Sequence, residues 1–336
     1  MDTRARIIAG DVGNGFTKFI SSTNQYTFPS VIATEQGAID FEGFSPNHDF
    51  VVEFDPEGNG SQRFAIGETA WKLGRMRVTA MDRSRIGTPF YKTLFAAGLA
   101  AVVQQPATLS VVLSLPVEWY SEREKVKDMM AGEYVVGFAG RTLNYQVPRD
   151  LMRVVPEGFG TVCTMVLDKS GQISNRSLAD SRVGVVDIGT KTTDLMLFDA
   201  LEIYPAMSGG LNTALADAWK VVGEDISKNV GRNLELHEVD DALHLGYFKH
   251  RGRRVDIKEW KTKALRALAA AVDGEIKSLW QGGDYVDNII ITGGGAVFVF
   301  EYLDYPHKFI VPDGHFANVD GSYRYGLLRS QTDQAA

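Results

Sequence analysis

Near its start the chain passes through an apolar run, Ile7-Ile8-Ala9-Gly10, that ends in Asp11, turns over Gly13-Asn14-Gly15, and leaves through a second strand-like stretch, Phe16 to Ile20. The pattern returns just past mid-chain. Gly184-Val185-Val186 leads to Asp187, Ile188 and Gly189 follow, Thr190 and Lys191 form a polar turn, and an apolar run departs from Thr193. Asp11 aligns with Asp187, Gly13 with Gly189, and Thr17 with Thr193. One supersecondary unit repeated at just over half the chain length predicts two related domains, each offering a strand–turn–strand loop to a shared cleft.

The remaining periodicity fills in an α/β pattern. After strand-like TKFISS and QYTFPSVIA, a polar, Gly-rich passage from Gly37 to Gly67 contains the short strand candidates FVVEF and QRFAIGETA and reads as a small β-rich insertion. Arg75, Arg77, Arg83 and Arg85 follow as a solvated basic face. Thr93 to Val103 suits a buried helix, TLSVVLSLP a strand, and Ser121 with Glu124 a capping box that opens the next helix. YVVGFAG and RTLNYQVP form a β pair, and a further strand ends at Pro156, with Glu157 where a helix should begin. Ser208, Gly209 and Gly210 lead from a strand toward an amphipathic helix. A hairpin with a basic tip, Lys249 to Arg254, precedes a long helix through Leu279, opened by Asp256 and Glu259 as a second capping box. NIIIT then runs into Gly293-Gly294-Gly295, and HFANVDGSYRYGLL connects to a terminal helix. The expected domains are 1–155 with 315–336, carrying the insertion at about 30–90, and 156–314, carrying a small subdomain at about 212–260.

Composition narrows the classes. With 336 residues, 44% of them apolar, the chain can bury two sizeable cores. No apolar run is long enough to span a membrane and no signal-peptide pattern opens the chain, so a cytoplasmic location without membrane contact is expected. Cys163, the single cysteine, excludes an internal disulfide and reads as a small buried hydrophobe. A net charge of −7 argues against direct binding of nucleic acid, which depends on surplus Lys and Arg.

The chemistry lies in the turns. Gly13 and Gly15, and Gly189 with Thr190, let the backbone present successive N–H groups to an anion. Asp11 and Asp187 stand at the strand ends, where a carboxylate can hold a hydrated Mg²⁺ or orient a water. Gly209 and Gly210 are a further phosphate seat if they open a helix. Three glycines after a buried strand allow a flat ring such as adenine to approach the backbone. Glu157 has two readings, a helix-dipole partner or a catalytic group. The chain has no P-loop, dinucleotide fingerprint, zinc-protease spacing or nucleophile elbow.

In this order the motifs resemble those of the actin, heat-shock chaperone and sugar kinase ATPase superfamily. GDVGNGFTKF is similar to its first phosphate loop, VVPEGFGTV to its first connection, VVDIGTKTTDLMLF to its second phosphate loop, IIITGGGA to its adenosine loop and FANVDGSYRYGLL to its second connection. LSLPVEWY and ANVDGSYRYG look most like the plasmid-segregating actin-like proteins, the ParM and Alp group, and their archaeal relatives. The resemblance implies two related domains with mixed sheets flanked by helices around a nucleotide cleft. It implies ATP, or GTP, with Mg²⁺ as cofactors, Asp11 and Asp187 serving the metal through water, and Glu157 polarising the attacking water. Gly13, Asn14, Gly15, Lys18, Gly189, Thr190, Lys191, Gly209 and Gly210 would hold the phosphates, Glu224 and Lys228 the ribose, and Gly293, Gly294 and Gly295 the adenosine. The activity it implies is ATP hydrolysis that times filament assembly by self-association, with a DNA-binding adaptor protein as the further partner. A small-molecule kinase and a non-hydrolysing scaffold on the same fold are the alternatives.

Overall fold

The computed structural model describes residues 5–34, 50–73, 77–79 and 86–335. The chain divides into two compact units, Met1–Arg176 with Phe316–Ala336, and Ser177–His315.

In the first unit, β1 (Arg6–Val12), β2 (Phe16–Ile20) and β3 (Gln25–Pro29) form an antiparallel meander. The insertion contributes β4 (Ile32–Thr34), β5 (Val51–Phe54), β6 (Gln62–Ile66), α1 (Glu68–Leu73) and β7 (Arg77–Val78). Next come α2 (Pro89–Val102), β8 (Ala107–Leu115), α3 (Arg123–Met130), β9 (Gly132–Phe138), β10 (Arg141–Val147), β11 (Met152–Pro156) and α4 (Phe159–Val166). β8 runs parallel to β1 on one edge; its other edge is shared by β10 at its start and β11 further along, both parallel to it. A strand flanked on both edges and covered on its faces is largely apolar, and Val111 to Leu115 are all buried, with Ser114 the one polar residue among them and its Oγ 3.4 Å from Ser322 Oγ. Beyond β10 the order continues β9–β5–β6–β4–β7, so the insertion extends the sheet rather than forming a separate lobe. Its stretch at residues 37–49, and Arg75, Arg83 and Arg85, lie outside the described residues; the Arg77 guanidinium covers the Trp71 ring at 4.7 Å.

The second unit repeats this plan. After α5 (Arg176–Ala179) come β12 (Arg182–Ile188), β13 (Thr193–Asp199), β14 (Glu202–Ile203) and β15 (Gly209–Leu211), then α6 (Leu215–Val230) and α7 (Leu236–Leu245). The hairpin β16 (Tyr247–His250) and β17 (Arg253–Asp256) leads to α8 (Lys258–Trp280), β18 (Asn288–Thr292), α9 (Ala296–Val299) and β19 (Lys308–Ile310). The strand order β14–β13–β12–β18–β19 has the same antiparallel and parallel pairings as β3–β2–β1–β8–β11. α2 and α8 precede the equivalent parallel strands, and α4 and α10 (Gly314–Ala335) follow the equivalent edge strands.

Several expected boundaries move, each for a local reason. Residues 156–176 stay with the first unit, whereas the sequence places a boundary after 155, because α4 is bonded to α10: Thr164 Oγ1 donates to the Ala317 carbonyl at 2.6 Å and Arg324 Nη1 to the Thr164 carbonyl at 2.9 Å. Ser121 does not cap a helix. Val117–Glu122 is a 3₁₀ turn, and Glu124 is drawn instead to Lys127 at 2.9 Å and Arg149 at 3.1 Å. Before α8, the Asp256 carboxylate accepts from Lys258 N at 2.9 Å, a local turn in place of the capping box. FANVDGSYRYGLL lies inside α10, which starts at Gly314.

Candidate functional site

Each hairpin is built from the register of its two strands. In the first, Asp11 pairs with Lys18 across the ladder, and Lys18 Nζ lies 3.7 Å from the carboxylate of Asp11, a residue only 7% exposed. In the second, Asp187 pairs with Asp194, buried at 5% exposure. Cross-strand neighbours share a face of the sheet, so both acidic residues belong to the same face. The sequence pattern did not single out Asp194; its acidic position inside an otherwise apolar strand was the available signal.

The turns close alike. Gly13 N donates to the Phe16 carbonyl at 3.0 Å and Gly189 N to the Thr192 carbonyl at 2.9 Å. A Cβ on Gly13 would press on the Phe16 oxygen at 2.7 Å, and one on Gly189 on the Thr192 oxygen at 3.0 Å. Both glycine amides are therefore spent on the turns. The N–H groups left to meet an anion are those of Asn14 and Gly15, and of Thr190 and Thr192. Asn14 Oδ1 is buried without a hydrogen-bond partner in the protein, an oxygen of the hard kind that suits a hydrated cation.

The two threonines aligned in the sequence anchor the hairpins, and both are fully buried. Thr17 Oγ1 lies 2.9 Å from Ser30 Oγ, and Ser30 in turn donates to the Gly13 carbonyl at 2.7 Å through Oγ and to the Gly15 carbonyl at 2.9 Å through its backbone N–H. Thr193 Oγ1 donates to the Thr213 carbonyl at 2.8 Å, and Ala216 N at the start of α6 donates to the Thr190 carbonyl at 2.8 Å. Each such bond contributes about 1 kcal/mol, so the turns are held before any ligand arrives.

Gly209 and Gly210 sit in β15, paired with Leu195 and Asp194 of β13, and not at a helix start. The Leu-Asn-Thr-Ala stretch after them places the first turn of α6 at Leu215, and its Ala216 amide is taken by Thr190. Glu224 and Lys228 lie on the exposed face of α6, with Lys228 3.7 Å from Asp225.

The three glycines divide the work. Gly293 has φ +85°, and a Cβ there would overlap the Asp187 carboxylate; a Cβ on Gly295 would overlap Ile188, whose carbonyl accepts Gly295 N at 2.8 Å. These two let the loop lie directly on the end of β12. Gly294 is different: its Cβ would meet nothing nearer than His315 Nδ1 at 3.8 Å, so space is left at the tip.

Glu157 extends β11, its N–H donating to the Leu115 carbonyl at 2.7 Å. Gly158 follows with φ +83° and α4 begins at Phe159, so Glu157 precedes the helix rather than standing in its first turn. Cys163 is buried, and burial pushes its thiol well above the usual range. A further polar groove of about 600 Å³ runs along the start of α8, lined by Lys258, Glu259, Thr262, Lys263 and Arg266. The described residues contain no group of three His, Cys, Asp or Glu able to cage a metal, and no described helix is long and apolar enough to cross a membrane. Single carboxylates at strand ends do fit Mg²⁺, which keeps most of its waters and relies on substrate phosphates for further ligands.

Residues 9–160 match the family model described as the N-terminal domain of actin-like proteins, and residues 185–305 the model described as archaeal actin homologue MreB-like, C-terminal. No curated protein matches the chain. Among solved structures, the 15-stranded ParM filament from Clostridium botulinum matches with a TM-score of 0.80 at 20% identity, over 96% of this chain and 99% of that one. The archaeal actin homologue Ta0583 matches with 0.77 at 22% identity, over 97% and 99%, and is also known in complex with ADP. Bacillus thuringiensis ParM with ATP matches with 0.69 at 15% identity, over 99% and 100%. At such identities the likeness shows the fold, an actin-like one.

Proposed function

The chain belongs to the actin-like proteins, and from that premise we propose that it is an ATPase whose Mg-ATP turnover drives its own assembly into filaments. The observation that carries this reading is the repeated hairpin: in both units an Asp ends the first strand and the same glycine-closed turn leaves two amides for an anion. The phosphates are taken by those turn amides, with Lys18 and Lys191 adding positive charge. Asp11 and Asp187 would hold Mg²⁺ through water, and the ion would supply charge neutralisation to the phosphate oxygens. Glu157 orients the attacking water, and Glu224 and Lys228 take the ribose. The open tip at Gly294 admits the base. Hydrolysis on this plan is phosphoryl transfer to water, accelerated mainly by positioning and charge stabilisation.

Relatives supply the wider setting. One ParM forms a 15-stranded filament, and another, from Bacillus thuringiensis, is seen with ATP and with AMPPNP. In this chain the filament would move or position plasmid DNA through an adaptor, in the cytoplasm. Calorimetry with Mg-ATP and Mg-GTP, followed by light scattering on the same samples, tests the reading. We expect binding that is lost with EDTA, and scattering that rises with ATP. No binding of either nucleotide overturns the ATPase; binding without assembly overturns the filament.

A further inference from the structure

The amide that immediately follows Glu157 is held by a side chain 160 residues away. Gly158 N donates to Asn318 Oδ1 at 3.1 Å, across the junction of α4 and α10 in the first unit. Gly158 caps the start of α4, where no carbonyl of the helix can accept its N–H, so that N–H needs an acceptor from elsewhere. Asn318 supplies it from a position only 5% exposed. The other half of the amide, Nδ2, is buried with no hydrogen-bond partner in the protein. A buried donor left unpaired is unfavourable, and packing alone would favour an apolar side chain of the same size. The bond to Gly158 is what the amide accomplishes here.

The platform behind Asn318 is stiff. A Cβ on Gly160 would overlap the Asn318 carbonyl and one on Gly321 the Gly160 carbonyl, so the two helices cross in backbone contact. Thr164 Oγ1 on the Ala317 carbonyl and Arg324 on the Thr164 and Leu167 carbonyls fasten the crossing one turn further along. On the other side, Glu157 N is fixed by the Leu115 carbonyl. The peptide groups on both sides of the Glu157 Cα are therefore anchored, one by β8 and one by Asn318, which fixes the direction in which its side chain leaves the backbone.

We propose that Asn318 is a positioning residue for Glu157, acting through the Gly158 amide. The inference rests on the reading of Glu157 as the group that orients the attacking water. Asn318→Leu removes the acceptor at similar volume; phosphate release in a single turnover should slow roughly tenfold or more, the usual penalty for a misplaced catalytic group, with nucleotide affinity within about twofold of the parent. Asn318→Asp keeps an oxygen for Gly158 N and should stay within about threefold of the parent rate. In a Glu157→Ala background, Asn318→Leu should cause no further slowing, because the group it positions is gone. Should Asn318→Leu not fold, Asn318→Ser, too short to reach Gly158, replaces it with the same expectation. A parent-like rate for the folded variant, or equal slowing with and without Glu157, overturns the inference while leaving Glu157 its role. A parent-like rate for Glu157→Ala alone overturns the reading of Glu157, and this inference with it.

Discussion

At the scale of single residues, the close approach of β12 to Gly293, and not to Gly294, makes the two glycines separable. Gly293→Ala places a methyl on the Asp187 carboxylate at a backbone angle that costs an L-residue about 1–2 kcal/mol, so its melting temperature should fall. Gly294→Val has open space around its new Cβ and should melt like the parent, yet lose nucleotide affinity by roughly tenfold or more if the base lies there. Unchanged affinity in that folded variant would show that the space at Gly294 is not where the base binds, leaving only the packing of Gly293 and Gly295 on β12. Glu157 and Asp187 should likewise fail differently. Glu157→Ala should bind Mg-ATP normally and hydrolyse it ~10²-fold more slowly, as loss of a proton-accepting group predicts. Asp187→Ala, beside buried Asp194, should weaken Mg-dependent binding as well as turnover. Nucleotide titrations and phosphate release on both variants check the division, and a Glu157→Ala protein that turns over like the parent removes its catalytic assignment.

At the scale of elements, what could be read from the sequence was what local pattern determines. An apolar run ending in Asp, a short Gly-containing turn and a second β-rich run specify a hairpin without outside help, and Asp11 to Lys18 and Asp187 to Asp194 pair as that pattern requires. Gly293 to Gly295 likewise announced a backbone that something approaches closely, although the neighbour of two of them is β12 itself. Tertiary partners hid the rest. Glu124 carries a capping signal that Arg149 diverts, and Gly209 with Gly210 looks like a helix entry but pairs with β13. Ser30 and Asn318 act on turns far from them in sequence, and no spacing rule reports such contacts. The crossing of α4 and α10 gives this scale its own test. Within a helix, Gly→Ala normally stabilises by about 1 kcal/mol, and Gly274, whose Cβ would meet nothing within 4 Å, should follow that rule. Gly321→Ala instead forces a methyl onto the Gly160 carbonyl, and backbone cannot yield as a side chain does. Overpacking of this kind costs on the order of 3 kcal/mol, which exceeds the propensity gain. Thermal melts should therefore move in opposite directions, upward for Gly274→Ala and downward by roughly 5 °C for Gly321→Ala.

For the whole molecule, charge bears on whether naked DNA can be bound directly. The chain carries −7 overall, yet between Lys249 and Arg266 stand eight Lys and Arg against only Asp256 and Glu259. These residues occupy the β16–β17 hairpin and the first turns of α8, where Arg254 also stacks on Tyr247 at 4.3 Å. The remainder of the chain is correspondingly more acidic. Non-specific DNA binding grows with the number of phosphates neutralised and falls steeply as salt is raised. One basic arm on an acidic body can contact few phosphates while the rest of the surface repels the duplex, so repulsion wins at ~0.15 M salt, where charges a Debye length of about 8 Å apart are still only partly screened. We expect the purified protein to show little affinity for naked DNA under those conditions, with or without Mg-ATP, and to need an adaptor. Any binding that emerges at low salt should vanish in Arg251→Ala/Arg253→Ala/Arg254→Ala. Fluorescence anisotropy across a salt series makes the measurement, and strong binding by the isolated chain at physiological salt would rule out the requirement for an adaptor.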